Sequence, residues 1–265
     1  MIMSNKNVFL YLTDKESDDV LNNFRDFRAA TRETGVVYLL FHQNQEVLPE
    51  GLKDLEVFPF TYETLMEMKY LPIGGNMVPG SNHFPVLKFF QLHPGYDQYW
   101  LVEDDVRFTG DWSSFFAHFS DIESDFVSSH LRHHEQEPQW AWWTSLWHPK
   151  EAIDLGQRIR SFNPIYRISR PALAFIHQAL SEYWIGHHEV LLPTLLHHNG
   201  FKVTDIGGSG PFVLQGSENL FYTSDGPTDE GKLSTGTMRY RPSWGQAGTE
   251  KNKLYHPVKE NYVHE

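Results

Sequence analysis

The stretch that most constrains the fold is Tyr99-Trp100-Leu101-Val102, which runs straight into Glu103-Asp104-Asp105. Aromatic and branched apolar side chains in unbroken succession suit a strand packed on both faces. The three carboxylates then fall where such a strand leaves its sheet, the edge at which open α/β sheets bind ligands. Side by side they repel one another, by about 3 kcal/mol per pair roughly 6 Å apart at an effective dielectric near 20. A divalent cation relieves that repulsion and lets the same edge hold an anionic phosphate. The alternative is a solvated acidic turn, and an acidic triplet alone does not decide between them. Its position directly after an apolar strand favours the cation.

The segments before it repeat strand and helix patterns. Val8–Leu12 reads as a strand ending at Thr13-Asp14. Ser17 is a helix N-cap with Asp18 and Asp19 in the first turn, and Val20, Leu21, Phe24 and Phe27 recur at helical spacing up to Gly35, a candidate helix stop. Val36–Phe41 and a short Leu55–Phe60 are further strands, so the chain opens as a parallel, Rossmann-like sheet. Turn signals fill Gly74–Asn82, without the Gly-Lys-Ser/Thr of a P-loop, and Asn82 can cap a helix over Phe84–Leu92. Downstream, Phe126–Ser129 and Ile165–Ser169 are strand candidates. Ser169 and Pro171 open a helix, and a second helix from Gly186 to Asn199 or Gly200 precedes the strand Phe201–Ile206. The fold class is α/β, a mixed, mostly parallel sheet flanked by helices.

Composition narrows the function. A chain of 265 residues is long enough for a substantial core. No cysteine is present, which removes disulfides, thiolate metal sites and a cysteine nucleophile. A net charge of −12 argues against nucleic acid, whose binding needs a basic surface. The first residues have neither the signal-peptide nor the membrane-span pattern, and no apolar run approaches about 18 residues. The expectation is a cytoplasmic protein with no transmembrane segment. Against the acidic background, residues 232–259 carry six basic side chains (Lys232, Arg239, Arg241, Lys251, Lys253, Lys259) and one acid, Glu250. Such a tail can fold over a diphosphate, or it can simply fray. In Leu131–Trp147, four tryptophans follow a polar start. Trp142 and Trp143 are candidates to pack on a sugar ring if exposed, and core filling if buried. His133-His134-Glu135 is read as solvated.

Glu103-Asp104-Asp105, followed by Asp111-Trp112-Ser113-Ser114-Phe115-Phe116, resembles the Glu-Asp-Asp form of the D-x-D region in GT-A-type glycosyltransferases, which use nucleoside-diphosphate sugars. The likeness is one of pattern and order over roughly residues 8–205 plus the C-terminal segment. It implies a single GT-A-like domain: a nucleotide-sugar half over about 1–110, an acceptor half over 111–230, and a lid or tail over 231–265. It further implies that Asp105 and His256 ligate Mn²⁺ or Mg²⁺ directly, with Glu103 assisting, and imidazole among oxygens suits Mn²⁺ somewhat better. Asp104, Thr13, Asp14, Lys88 and Lys259 are the implied donor contacts. For Thr13 and Asp14 the alternative is a capping turn, and for Lys88 an ordinary exposed lysine.

The resemblance also offers Glu189, near the start of a helix, as the base of an inverting transfer to a glycan or other hydroxyl acceptor. Otherwise it is a first-turn acid on the helix dipole. That dipole favours ionisation, so burial must supply any upward pKa shift. The segment Gly186-His187-His188-Glu189 is not a zinc-protease motif, because residue 192 is Leu. Two other readings stay open. One is a non-catalytic nucleotide-sugar or glycan-binding protein, and the other a metal-dependent hydrolase that would need a two-metal cluster.

Overall fold

The computed structural model describes residues 7–75, 80–223 and 233–259. In chain order the strands are β1 (Asn7–Thr13), β2 (Gly35–His42), β3 (Val57–Phe60), β4 (Gln98–Glu103), β5 (Arg107–Phe108), β6 (Phe126–His133), β7 (Ile159–Ser169), β8 (Val203–Asp205) and β9 (Leu254–Tyr255). Among the described residues seven of them form one sheet in the order β3-β2-β1-β4-β7-β6-β8, while β5 and β9 make a separate ribbon. All neighbours run parallel except at β7, which is antiparallel to both β4 and β6. The fold is thus α/β with a mixed, mostly parallel sheet.

Both faces of the sheet are covered. Phe9, Tyr11 and Trp100 point to a face packed by α1 (Asp18–Thr31) and, further on, by a short aromatic helix of residues 112–118. Rings interlock there, with Phe9 and Phe116 centroids 4.5 Å apart and Trp100 and Phe116 4.8 Å. The alternate residues Val8, Leu10, Tyr99 and Leu101 face the opposite layer. Between β3 and β4 come α2 (Tyr62–Met66) and α3 (His83–Leu92); α4 (Trp112–His118) follows β5, and α5 (Arg170–Ser181) and α6 (His188–His198) follow β7. Period-two alternation onto two apolar layers is why β4 reads as a continuous hydrophobic run.

Ser17 and Ser169 cap α1 and α5 as predicted, each hydroxyl accepting a backbone N–H of the first turn, at 3.4 and 3.3 Å. Other expectations are corrected. Gly35 does not stop α1 but opens β2, against Asn7, where a Cβ would sit 2.5 Å from the Asn7 carbonyl oxygen. Asn82 has helical backbone angles and makes no side-chain cap. The strand predicted from Ile165 begins six residues earlier, at Ile159, through an Asn-Pro pair that reads as a turn.

The C-terminal segment is not a loose tail over its described part. β9 pairs with β5, and the Val258 N–H donates to the Asp105 carbonyl at 2.8 Å. Lys232 and the segment's residues 231 and 260–265 lie outside the described residues, as do Asn76 and Pro79 of the predicted loop. No described helix is long and apolar enough to cross a membrane.

Arg167 of β7 shows how the antiparallel strand is tied in. It is buried beneath the Trp100 ring, and its guanidinium donates to the carbonyls of Phe119 (2.5 Å), Ile122 (2.8 Å) and Ser124 (3.0 Å). Burial lowers its pKa to about 10, which leaves it charged at neutral pH. Arg167→Met keeps the stem and removes three charge-assisted bonds, so stability should fall by about 3 kcal/mol. Urea denaturation would register this as a lower midpoint at unchanged slope, and an unmoved midpoint would refute the role.

Candidate functional site

From β1 the chain builds outward through β2 and β3, then returns to place β4 on the other side of β1. This makes the C-terminal ends of β1 and β4 the topological switch point, where a crevice opens. Thr13 and Asp14 sit at one lip and Glu103-Asp104-Asp105 at the other. Because β7 is antiparallel, its first residues, Arg160 to Asn163, arrive at the same edge.

The three acids diverge. Asp104 turns toward β1, accepting from the Thr13 hydroxyl at 2.6 Å and the Lys15 ammonium at 2.9 Å. Glu103 and Asp105 share the opposite direction with His256, whose Nε2 lies 3.7 Å from Glu103 Oε2 and 3.3 Å from Asp105 Oδ1. Lys259 pairs with the second Asp105 oxygen, and the Asn82 amide donates to Glu103 at 3.1 Å. Asn82, expected as a helix cap, therefore holds a carboxylate instead.

His256 is aimed by its surroundings. Its Nδ1 lies 2.9 Å from the Arg239 carbonyl, so that nitrogen carries the proton and Nε2 faces the acids. A bridge pairs it with Met238, whose carbonyl meets His130 Nε2 at 2.7 Å. The His130 backbone N–H donates to the Tyr222 hydroxyl, which in turn donates to buried Asp205. Burial works against a charged His256, yet Asp105 and Glu103 override it and raise its pKa to about 9. Asp105 gains in turn: burial alone would push its carboxyl up, but His256 and Lys259 hold it well below the usual range.

One ligand atom each from Glu103, Asp105 and His256 lies within 4.8 Å of the others, and among the described residues no other trio does so. Asp105 Oδ1 is buried with no hydrogen bond. Two carboxylate oxygens and an imidazole nitrogen converging on one point fit a divalent cation such as Mn²⁺ or Mg²⁺.

Two cavities meet at this cluster. The smaller, about 390 Å³, runs beneath Thr13, Asp14, Lys15 and Tyr62, over the parallel stack of His42 on Phe60 (5.1 Å, 6°). The larger, about 580 Å³, is walled by Trp140, Trp142, Arg160, His187 and Glu189. Asn82, Glu103, Asp105 and Lys259 border both.

Glu189 is the second residue of α6 and is buried. One carboxylate oxygen accepts the Asn163 N–H at 3.3 Å, and the other lies 3.7 Å from His187 Nδ1. That nitrogen already accepts the Glu189 backbone N–H, and burial with nearby Arg160 lowers the His187 pKa to about 3, so the ring is neutral and forms no salt bridge. Burial raises Glu189 to about 7 against the opposing pull of Arg160 and the Asn163 N–H.

Two expected site residues are not brought here. Lys88 lines neither cavity, because its position on α3 directs the ammonium to Glu67 at 3.3 Å. Trp143 is buried in the core with its indole N–H on the Glu137 carbonyl at 2.8 Å, so its face is not offered to a ligand. Arg160, Asn163, His187 and Lys15 were not anticipated. The strand-initial Arg160 and Asn163 were hidden by Pro164, and isolated polar residues carry no spacing signal.

A family profile described as a protein of unknown function, DUF3405, matches residues 40–125. No curated protein matches the chain. Among solved structures, a Bacillus anthracis protein described as a glucose-1-phosphate thymidylyltransferase in complex with a sucrose aligns at 9% identity and TM-score 0.43, over 78% of this chain and 87% of its own. A glycosyltransferase involved in glycosylation of the major capsid of PBCV-1 aligns at 8% and 0.36, over 75% and 81%. The inositol-1-phosphate CTP transferase from T. maritima aligns at 12% and 0.41, over 77% and 86%. At such scores, function has to be read from the side chains.

Glu189 binds its proton more tightly folded than unfolded, so its contribution to stability is full below about pH 4.5 and is lost as pH rises through about 7. The groups around it are Arg160, neutral His187 and His188, Glu103 and His256. Glu189→Gln removes the titration. Relative to wild type, the variant should gain on the order of 2–3 kcal/mol between pH 5 and pH 8. Thermal melts at the two pH values check this, and a pH-independent difference would show that Glu189 is not held protonated by burial.

Proposed function

We propose that the chain is a divalent-cation-dependent glycosyltransferase of GT-A type. In this reading it moves a sugar from a nucleoside-diphosphate donor in the smaller cavity to a hydroxyl of a glycan or other acceptor in the larger, with inversion. The observation that carries the reading is the meeting of two cavities at Glu103, Asp105 and Lys259, with a buried carboxylate raised to about 7 on the far side. A base poised near neutrality suits proton removal from a hydroxyl.

Asp105 and His256, with Glu103, would hold the Mn²⁺ or Mg²⁺, which supplies positive charge against the donor diphosphate. The flat His42–Phe60 stack offers a face for the nucleobase. Thr13, Asp14 and the Asp104–Lys15 pair border the same cavity and offer hydrogen-bond partners for the nucleoside's sugar hydroxyls. Lys259, at the shared border, can pass from Asp105 to a phosphate oxygen. In the larger cavity Trp142 presents a half-buried ring to the acceptor.

Glu189 takes the acceptor hydroxyl proton as that oxygen bonds to the anomeric carbon. The carbon–oxygen bond to the diphosphate breaks on the opposite side, and its electron pair leaves with the phosphate. Attack opposite the leaving group inverts the configuration. A two-metal hydrolase has less support, because the described residues supply one ligand trio. A binding protein without turnover shares every feature except the use of Glu189.

Titration with UDP and GDP, with and without Mn²⁺, tests the donor site. Asp105→Ala should abolish the Mn²⁺-dependent part of nucleotide affinity in folded protein, and full retention would remove Asp105 from the ligand set. Glu189→Gln should slow transfer by roughly 10²–10⁴ with nucleotide affinity nearly unchanged. Product NMR reads the anomeric configuration, and near wild-type turnover in the Gln variant would exclude Glu189 as base.

A further inference from the structure

The larger cavity contains a buried cation that the transfer chemistry does not use. Arg160 enters at the start of β7, almost fully buried, with one terminal nitrogen donating to Glu137 at 2.9 Å; both side chains are 2% exposed. Its guanidinium carbon lies 4.2 Å from the centre of the Trp140 ring. Its Nε is buried with no partner. Across the wall, Trp142 stacks on neutral His187 at 4.9 Å and 25°, and Trp140 meets the same ring edge-on at 5.7 Å.

The charges around Arg160 decide what this wall can accept. Glu137 already balances it, and Glu189 lies in the same cavity. With its charge paired to Glu137 at 2.9 Å, Arg160 offers an incoming anion little net attraction. An incoming anion would also lose its hydration, while a neutral hydroxyl carries neither cost. The other cations on this cavity are balanced as well: Lys259 and His256 lie against Asp105 and Glu103, whose charges oppose theirs, and Arg241 is exposed and screened by solvent. The half-buried Trp142 indole suits the C–H face of a sugar ring, with Trp140 and His187 packed behind it, and Arg160 supplies a donor in the same cavity.

We propose that Arg160, Trp140, Trp142 and His187 form a subsite for an uncharged, hydroxyl-bearing sugar ring of the second substrate. Arg160 donates to a ring oxygen, and the Arg160–Glu137 pair discriminates against acidic sugars. The proposal deepens the transferase reading and rests on it for the word substrate, but the subsite can be tested without turnover.

The test is saturation-transfer NMR and tryptophan fluorescence with methyl glucoside, galactoside, mannoside and N-acetylglucosaminide, beside methyl glucuronide as the acidic counterpart of glucoside. Each is run with and without Mn²⁺ and UDP. At least one neutral glycoside should bind, and the glucuronide should be weaker than glucoside by roughly tenfold or more. Arg160→Met combined with Glu137→Gln removes both charges at similar volume. It should weaken the neutral ring roughly tenfold and erase the preference over glucuronide. Trp142→Ala, on a half-buried ring, should weaken all of them and serves if the double variant fails to fold. Equal or tighter glucuronide binding, no binding by any neutral glycoside, or indifference to the folded variants would overturn the proposal. Mn²⁺-dependent nucleotide binding on the same preparation separates the two readings. If nucleotide binds without glycoside selectivity, only the subsite falls; if selectivity persists without nucleotide binding, only the transferase reading falls.

Discussion

Everything at this edge of the sheet answers the repulsion among Glu103, Asp104 and Asp105. Each acid is met by a different group from a different part of the chain: Asp104 by Lys15 after β1, Glu103 by Asn82 at the start of α3, and Asp105 by His256 and Lys259 of the C-terminal segment. A repulsion of about 3 kcal/mol per pair is large beside a net folding stability of roughly 5–15 kcal/mol. This helps explain why the basic C-terminal segment packs down rather than fraying. Backbone pairing reinforces it, since β9 joins β5 immediately after the acids and Val258 donates to the Asp105 carbonyl.

The alternation of the chain after β4 divides the work. Glu103 and Asp105 point to one side and form the ligand trio with His256, while Asp104 turns to Thr13 and Lys15 on the smaller cavity. The same cluster thus faces two compartments of different character. One is flat-bottomed and bordered by Thr13, Asp14 and Lys15. The other is aromatic and deep, with Glu189 buried in its wall. Burial acts oppositely on the two sides: it raises Glu189 because no cation touches its carboxylate, and it fails to raise Asp105 because two cations do.

Much of the scaffold was legible in local pattern. Hydrophobic periodicity and Ser caps located β1, α1, β2, β4, α5 and α6, because these elements bury regular stripes and end on residues with specific backbone chemistry. Tertiary context overrode local signals elsewhere. Gly35 looked like a helix stop but is needed where a Cβ would strike Asn7. The strand expected to start at Ile165 instead starts at Ile159 and carries Pro164 inside it. Lys88 and Trp143 were reasonable site candidates by residue type. A helix face aimed at Glu67 and a core that needed filling took them instead.

The sequence by itself determined that an apolar strand ends in three carboxylates, that a basic segment lies far downstream to answer them, and that Glu189 opens a helix. These are properties of composition and short-range order, which a chain carries before it folds. Only the tertiary structure decided which of the acids converge with His256. It also decided that Asn82 and Lys15 join them, that Arg160 stands over Trp140 with its charge already spent on Glu137, and that Glu189 is dry enough to hold a proton near neutrality. Those outcomes depend on distances between residues some 20 to 150 positions apart and on the exclusion of water. Neither has a signature in linear order.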